Sequence, residues 1–215
     1  MKTTNPTKNN VVKAATALFF QKGFDGTSVR DIADKADVNV SLISYYFKGK
    51  QGLLEHAVTQ FYETYFEHIE EALKEAQSLS TIDQLKSLIF SIIQYKQSNH
   101  QLTCFIHREL SLDSVFVREM TVTYLAKENH YISRLFYRAL KEYNNKSGDR
   151  HLLLMQLKGM LLTPYVMQNE WRNQLGGDYS DKVFINRYVN IIEEWLDFII
   201  LERKQMANSV PVHIK

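Results

Sequence analysis

Cysteine is almost absent from this chain: Cys104 is the single one among 215 residues, which excludes an internal disulfide framework and suits a reducing compartment. Helix breakers are scarce as well, with 3 Pro and 8 Gly, so the long stretches of good helix formers predict an all-α protein. No run of about 18 apolar residues occurs, and no membrane span is expected. The opening MKTTNPTKNN is polar and lacks the apolar centre of a secretory signal. A cytoplasmic protein is the expectation. Chemistry-bearing motifs are missing too: the chain has no Gly-rich phosphate loop, no nucleophile elbow and no base patterned around Cys104, which reads as a core thiol. His56, His68, His100, His107, His130 and His151 make no His pair at i, i+4, and no Cys-X-X-Cys exists. Glu70 and Glu71 are adjacent on a helical stretch, so they point about 100° apart and suit a solvated face better than acid-base work. No metal, no cofactor and no enzymatic activity are expected.

What is present is a large apolar fraction with an uneven charge. Hydrophobic residues make up 45% of the chain, enough for a sizeable core. The net charge is only +2. Residues 1–50 hold eight Lys or Arg against four Asp, a net of +4, which leaves 18 basic against 20 acidic residues, or −2, for the rest. A basic head on a slightly acidic body suits phosphate binding by the head alone.

The stretch Thr27 to Lys50, TSVRDIADKADVNVSLISYYFKGK, reads as two short helices joined by a tight turn. Thr27 or Ser28 caps the first and Asn39 the second. Val29, Ile32, Ala33 and Ala36 recur at helical spacing and face inward. Val38, Leu42 or Ile43, and Phe47 bury one side of the second helix, leaving Val40, Ser41, Ser44 and Tyr45 outward. So short a helix is marginal alone and must be held by neighbours and presented to something. Helix-turn-helix units insert their second helix into the DNA major groove.

A helix from residue 9 or 10 to 22, with Val12, Ala15, Leu18 and Phe19 inward, precedes this unit, and Gly23 ends it as a left-handed cap. Residues 1–8 form a loose arm whose Lys2 and Lys8 can touch phosphates. After Gly49 a long helix starts near Gln51, with Lys48 and Lys50 beside a first turn whose free NH groups favour an anion. Five further helices run roughly over residues 81–98, 101–112, 114–144, 148–172 and 180–204, about nine in all. Pro164 should kink the eighth.

Gly23, Phe24, Thr27, Ser28, Val29, Ile32, Ala33, Ala36, Val38, Ile43, Tyr46, Phe47, Lys50, Leu53 and Leu54 stand at the offsets of the amino-terminal pattern of TetR-type regulators. Over residues 9–56 the chain resembles that family of bacterial DNA-binding proteins. Two positions depart from it. Asp37 stands where the family usually has Gly, and Ser44 where it usually has Tyr. The resemblance implies a helix-turn-helix domain over 1–50, a helical regulatory and dimerisation domain over 51–206, and a disordered tail over 207–215. The expected DNA-binding residues are Thr27, Ser28, Arg30, Asn39, Val40, Ser41, Ser44, Tyr45, Tyr46, Lys48 and Lys50. Among them Arg30, Ser41, Ser44 and Tyr45 are placed to reach base edges or nearby phosphates, Val40 a thymine methyl, and Thr27, Tyr46, Lys48 and Lys50 the backbone. Tyr46 suits packing equally well.

The last two helices are apolar over more than one stripe and need cover on two sides, by their own domain and by a second copy. Leu153, Leu157, Leu161, Tyr188, Ile192, Trp195 and Ile199 are the expected dimer interface, and the homodimer would set two recognition helices about 34 Å apart on a near-palindrome. Phe90, Tyr95, Phe105, His107, Phe116, Met120, Tyr124 and Met160 suit either the lining of a cavity for a small apolar ligand or an ordinary core. The stretches VNVSLISYYFKGKQGLLEHAVTQFYE and QLTCFIHRELSLDSVFVREMTVTYLAKENHYI are also similar to a TetR-type division regulator of spore-forming Bacilli. That likeness implies binding to DNA motifs near the replication origin and modulation of the division protein FtsZ during sporulation, with Arg108, Glu109 and Arg118 as partner contacts. The alternative is a repressor released by a small ligand.

Overall fold

Apolar residues at helical spacing, punctuated by caps, fold into nine α-helices among the described residues: α1 Pro6–Lys22, α2 Val29–Ala36, α3 Val40–Phe47, α4 Lys50–Glu75, α5 Thr81–Ser98, α6 His100–Ser111, α7 Val115–Glu142, α8 Arg150–Val166 and α9 Asp181–Asp197. The computed structural model describes residues 6–111, 115–143, 149–167 and 181–202. The expected tail 207–215 and Lys2 lie outside them. A 3-10 turn at Ala76–Ser78 follows α4, and a π turn at Phe198–Glu202 extends α9. No strand occurs among the described residues, as the all-α reading requires.

The chain forms two compact units: residues 1–66 with 99–124, and residues 67–98 with 125–215. The helix-turn-helix stretch lies wholly within the first, together with α6. Helix α1 starts at Pro6, three or four residues earlier than expected, so Lys8 belongs to the helix and not to a loose arm. Proline suits that first position because its missing NH has no helical partner there anyway. The face that α1 buries is Val11, Ala14, Ala15, Leu18 and Phe19, with Val12 half-buried at its edge.

In the second unit α8 and α9 show how two apolar stripes divide their work. Leu153, Leu157 and Leu161 of α8 and Ile192 and Ile199 of the last helix are at most 7% exposed. They build the core of their own protomer, which corrects their expected place in a dimer interface. Their neighbours Leu152, Met155, Leu162 and Val166 on α8, and Ile191 and Phe198 beside them, are exposed.

Helix α8 continues two residues past Pro164. Proline offers no NH to the carbonyl four residues back, here that of Met160. The Tyr188 hydroxyl of α9 donates to that carbonyl at 2.7 Å. Burial pushes the Tyr188 phenol up to about 12, so it stays a donor through the physiological range. Tyr188, expected at the dimer interface, is thus half-buried and engaged within its protomer. Tyr188→Phe is expected to cost about 1–2 kcal/mol in urea unfolding, because it leaves a half-buried carbonyl without its donor. In a Pro164→Ala background the alanine supplies the missing NH and the cost should shrink. Equal costs in both backgrounds would show that Tyr188 does not serve that carbonyl.

Candidate nucleic-acid interface

Local caps set the geometry of the two short helices. Ser28 caps α2: its hydroxyl accepts from the Asp31 NH at 3.1 Å, while the Asp31 carboxylate accepts from the Ser28 NH at 3.0 Å. These bonds hold the Asp31 carboxyl below its ordinary range. The pair is a reciprocal capping box, which fixes where α2 begins. Asn39 caps α3, its side-chain oxygen accepting from the Ser41 NH at 2.8 Å. Between the helices Asp37 adopts the left-handed conformation, φ 53° and ψ 52°. Aspartate tolerates that region better than most residues, so the tight turn survives without the glycine common at this position.

Longer contacts hold the unit in place. Gly23, at φ 76°, ends α1 in the left-handed region. Thr27 is buried, and its hydroxyl donates to the Gly23 carbonyl at 2.8 Å. Thr27 therefore closes the loop before α2 and does not face a DNA backbone. Lys50, at the start of α4, donates from Nζ to the Phe24 carbonyl at 2.7 Å and the Thr27 carbonyl at 2.9 Å, with its ammonium 4.3 Å from the Phe24 ring centroid. It is a strut inside the head rather than a free phosphate ligand. Sequence reasoning places both residues correctly at the motif but cannot see these partners.

The same holds for Arg108 on α6. Its guanidinium donates to the carbonyls of Phe19 at 2.7 Å and Phe20 at 2.9 Å, in the last turn of α1. Cationic donors at a helix C-terminus satisfy orphan carbonyls and oppose the negative end of the dipole. Glu109 beside it is half-buried, and burial raises its carboxyl above the ordinary range against the pull of Arg108. Phe105 of α6 stacks on Phe19, with centroids 5.5 Å apart. Helix α6 thus braces α1, which braces the motif. Arg118 lies exposed on α7.

What remains outward is the face of α3. Tyr45 is 79% exposed and Val40 38%, with Ser41 and Ser44 also exposed. Ile43 and Phe47 anchor the opposite side at 0% and 4%. The Tyr45 ring meets Tyr46 edge to face at 5.1 Å, and Tyr46 in turn meets Phe47 at 6.2 Å. The stack steers the outermost ring. Arg30 and Lys48 are exposed on either side, Lys48 in a left-handed cap at φ 59°. A groove of about 420 Å³ opens beside it, lined by Tyr46, Phe47 and Lys48 and, from the first turns of α4, by Gln51, Gly52, Glu55 and His56. Burial, and then the Lys8 ammonium, hold His56 below its ordinary range, so it is neutral and the positive charge there is lysine's.

A stabilised short helix that offers a tyrosine, two serines and a valine, flanked by Arg and Lys, matches what a major groove accepts. The model of the family described as "Bacterial regulatory proteins, tetR family" matches residues 11–57. "Probable HTH-type transcriptional regulator YttP" of Bacillus subtilis is 40% identical over 190 residues, 88% of this chain and 92% of that one. The chain belongs to the TetR family. The Staphylococcus aureus regulator "Biofilm operon icaADBC HTH-type negative transcriptional regulator IcaR" is 28% identical over 88 residues, 40% of this chain and 45% of that one. The fatty acid degradation regulator FadR from Bacillus halodurans shares the fold, with a TM-score of 0.65 at 17% identity, covering 89% of this chain and 97% of that one. As a TetR-family member the protein is a DNA-binding transcriptional regulator and not an enzyme. Among the described residues no helix is long and apolar enough to cross a membrane, and no group of three His, Cys, Asp or Glu is arranged to hold a metal.

Several of the side chains expected around a ligand are used for packing, while Phe90 is exposed. Phe105 is fully buried against Phe19 in the first unit. Tyr124 stacks on Tyr62 at 4.5 Å, and the planes are 6° apart. His107 is half-buried in that unit too. In the second unit Tyr95 tilts against His68 at 5.9 Å, Met160 is half-buried and Phe90 is 38% exposed. The side chains of Phe116 and Met120 lie outside the described residues. The Cys104 thiol is buried, with Sγ 3.5 Å from His100 Nε2.

Proposed function

We propose that the protein is a homodimeric, sequence-specific regulator that reads near-palindromic DNA with α3, residues 1–50 forming the DNA-binding part and 51–206 the regulatory and dimerisation part. The observation that carries this reading is the 79% exposure of Tyr45 on a helix whose other face is anchored. The one described ring contact of Tyr45, on Tyr46, leaves most of the ring and its hydroxyl beside Ser41 and Ser44 open to a partner. Tyr45 and the two serines address base edges, Val40 a thymine methyl and Arg30 a guanine, while Lys48, Ser28 and Asn39 lie along the phosphates. Tyr45→Ala is expected to reduce discrimination between a selected site and random DNA by about 1–2 kcal/mol, read by fluorescence anisotropy at fixed salt. An equal loss on both DNAs would make Tyr45 a backbone or packing residue.

Dimerisation is assigned to the second apolar stripe. Leu152, Met155, Leu162 and Val166 recur along α8 at i, i+3, i+10 and i+14, with Gly159 between them, where an added Cβ would meet nothing within 4 Å. Phe184, Tyr188, Ile191, Trp195 and Phe198 line up on α9 and its extension. Two such helices from each protomer make a self-complementary four-helix contact.

In the cell, we propose a role like that of RefZ, a TetR-type protein of spore-forming Bacilli: binding near the replication origin and modulating FtsZ-dependent division during sporulation. The likeness of the two quoted stretches supports it, as does the packing of Phe105 and Tyr124 into stacked pairs. The alternative, a repressor released by a small apolar effector, draws on the ring cluster of Tyr62, Phe66 and Tyr124, which a flat ligand can enter by displacing one ring. A chromosomal map of bound sites separates the two. Sites outside promoters, clustered around the origin, are expected; sites confined to one or two promoters would establish the repressor.

A further inference from the structure

A second basic surface belongs to the other compact unit. A groove of about 480 Å³ runs between α4 and α7, open to solvent. Lys74 from α4 and Arg134 and Arg138 from α7 line it above a floor that includes Leu73 and Leu135. One carboxylate, Glu70, also lines it, but the Lys127 ammonium at 2.9 Å and the Tyr131 hydroxyl at 2.8 Å already hold its Oε1. Arg138 gives its Nε to Glu142 at 2.8 Å, leaving the ends of its guanidinium. Lys74 and Arg134 are exposed. Lys74 also complements the C-terminal dipole of its own helix. Arg134, in the interior of α7, has no such duty.

Counting Glu70, Lys74, Lys127, Arg134, Arg138 and Glu142, four positive and two negative groups leave a net +2. The residues after position 50 carry 18 basic against 20 acidic side chains. A positive groove on a body of the opposite net sign is therefore a local concentration of charge, not a reflection of composition.

We propose that this groove docks a short acidic segment of a partner protein, with carboxylates on Arg134, Arg138 and Lys74 and apolar side chains on Leu73 and Leu135. Several features favour a peptide over a small anion. The cations come from two helices, Lys74 from α4 and Arg134 and Arg138 from successive turns of α7, and they share the groove with apolar side chains that a bare phosphate would not use. The floor is apolar, which suits alternating acidic and apolar side chains. Gln77, exposed on the lining, offers a carboxamide that can pair with an extended backbone, while the Gln84 amide donates to the Leu79 carbonyl at 3.0 Å and keeps only its oxygen as an acceptor. Arginine is also, with tryptophan and tyrosine, among the residues enriched where such contacts are anchored. The inference does not depend on which chromosomal role the protein has.

The test uses the full chain and a fluorescein-labelled peptide alternating Glu and Leu, followed by anisotropy. Saturable binding that weakens with salt is expected, with a loss of about tenfold or more in Lys74→Glu/Arg134→Glu. Both positions are exposed, so that variant should fold, with thermal unfolding lowered only slightly by the reversed charge in the last turn of α4 and binding to a labelled random-sequence duplex retained. No binding to the wild type, or equal binding to the variant, would overturn the proposal. Displacement of the peptide by inorganic pyrophosphate at comparable concentration would also overturn it, making the groove a small-anion site.

Discussion

Replacing Ile191 with Glu is expected to convert the dimer to monomers and to weaken binding to a DNA carrying two half-sites by about a hundredfold or more. Ile191 is 58% exposed on α9, so the carboxylate meets water in the isolated protomer and the fold should persist. In the dimer the same position would be covered by the partner. Burying an unpaired charge there costs several kcal/mol, more than a contact between two helices of each protomer can spare. The loss on DNA follows because joined half-sites bind with the advantage of effective concentration, worth roughly 10² to 10⁴. Sedimentation equilibrium and anisotropy on the same samples read both effects. The contrast is Ile192→Ala, one residue along. Ile192 is fully buried, and its truncation should lower the stability of the protomer by about 2–5 kcal/mol. A dimer that survives Ile191→Glu would place the contact elsewhere.

Lys50→Met is expected to destabilise the head and abolish specific DNA binding, without the uniform loss and reduced salt slope of a missing phosphate contact. The methionine keeps the apolar stem but deletes an ammonium that serves two carbonyls and faces the Phe24 ring. Hydrogen bonds to charged groups contribute about 1.5–3 kcal/mol each, and the carbonyls of Phe24 and Thr27 would lose theirs at half-buried positions. Solvent can reach part of this site, so the lower end applies, about 3 kcal/mol for the two bonds. That is a large share of what holds a small helical unit. Urea unfolding followed by the signal of the head tyrosines measures it. Lys48→Ala provides the comparison: exposed and free of a described side-chain partner, it should lower affinity alike on every sequence and flatten the salt slope by about one unit. A Lys50→Met protein of unchanged stability but flattened slope would return Lys50 to the phosphates.

Lys50 and Ile191 mark where sequence reading stops, and the caps of the head mark where it succeeds. Asn39, Ser28 and Gly23 act on backbone within a few residues of themselves, so their capping roles can be read from the order of the letters. The helices follow equally from periodicity and the scarcity of breakers. The pattern places Lys50 at the motif correctly, but its partners are the carbonyls 23 and 26 residues earlier. A basic residue at a helix start looks the same whether it faces a phosphate or its own loop. Arg108 is a stronger case. Its partners on α1 lie 88 and 89 residues away, and no local pattern announces that a side chain of α6 finishes the last turn of α1. Thr27 is expected at a phosphate because threonines at helix starts often are, yet its hydroxyl turns back to Gly23. In α8 and α9 the difficulty is different. Leu152 and Leu153, or Ile191 and Ile192, are equally apolar neighbours. Composition gives the expectation that both stripes need cover but not which one faces the core, and only the packing against α5 separates them. Asp37 runs the other way: a departure from the family's usual glycine, it still adopts the left-handed conformation that the turn demands.

The bracing of the head gives the recognition face its meaning. Phe19, Phe105 and Arg108 hold α1 to α6, Lys50 and Thr27 lock the loop after α1, and Ile43 and Phe47 fix α3. Against that frame Tyr45 and its neighbours are preorganised, so little conformational entropy remains to be lost when DNA binds.

Selection of binding sites from a pool of random duplexes, followed by sequencing, tests the central claim most directly. Enrichment of a near-palindrome whose half-sites lie one helical turn or a multiple of it apart, lost in Tyr45→Ala and reduced to single half-sites in Ile191→Glu, is the expected result. A recovered pool indistinguishable from the input, or the same motif from the wild type and Tyr45→Ala, would contradict the assignment of α3 as the element that reads DNA.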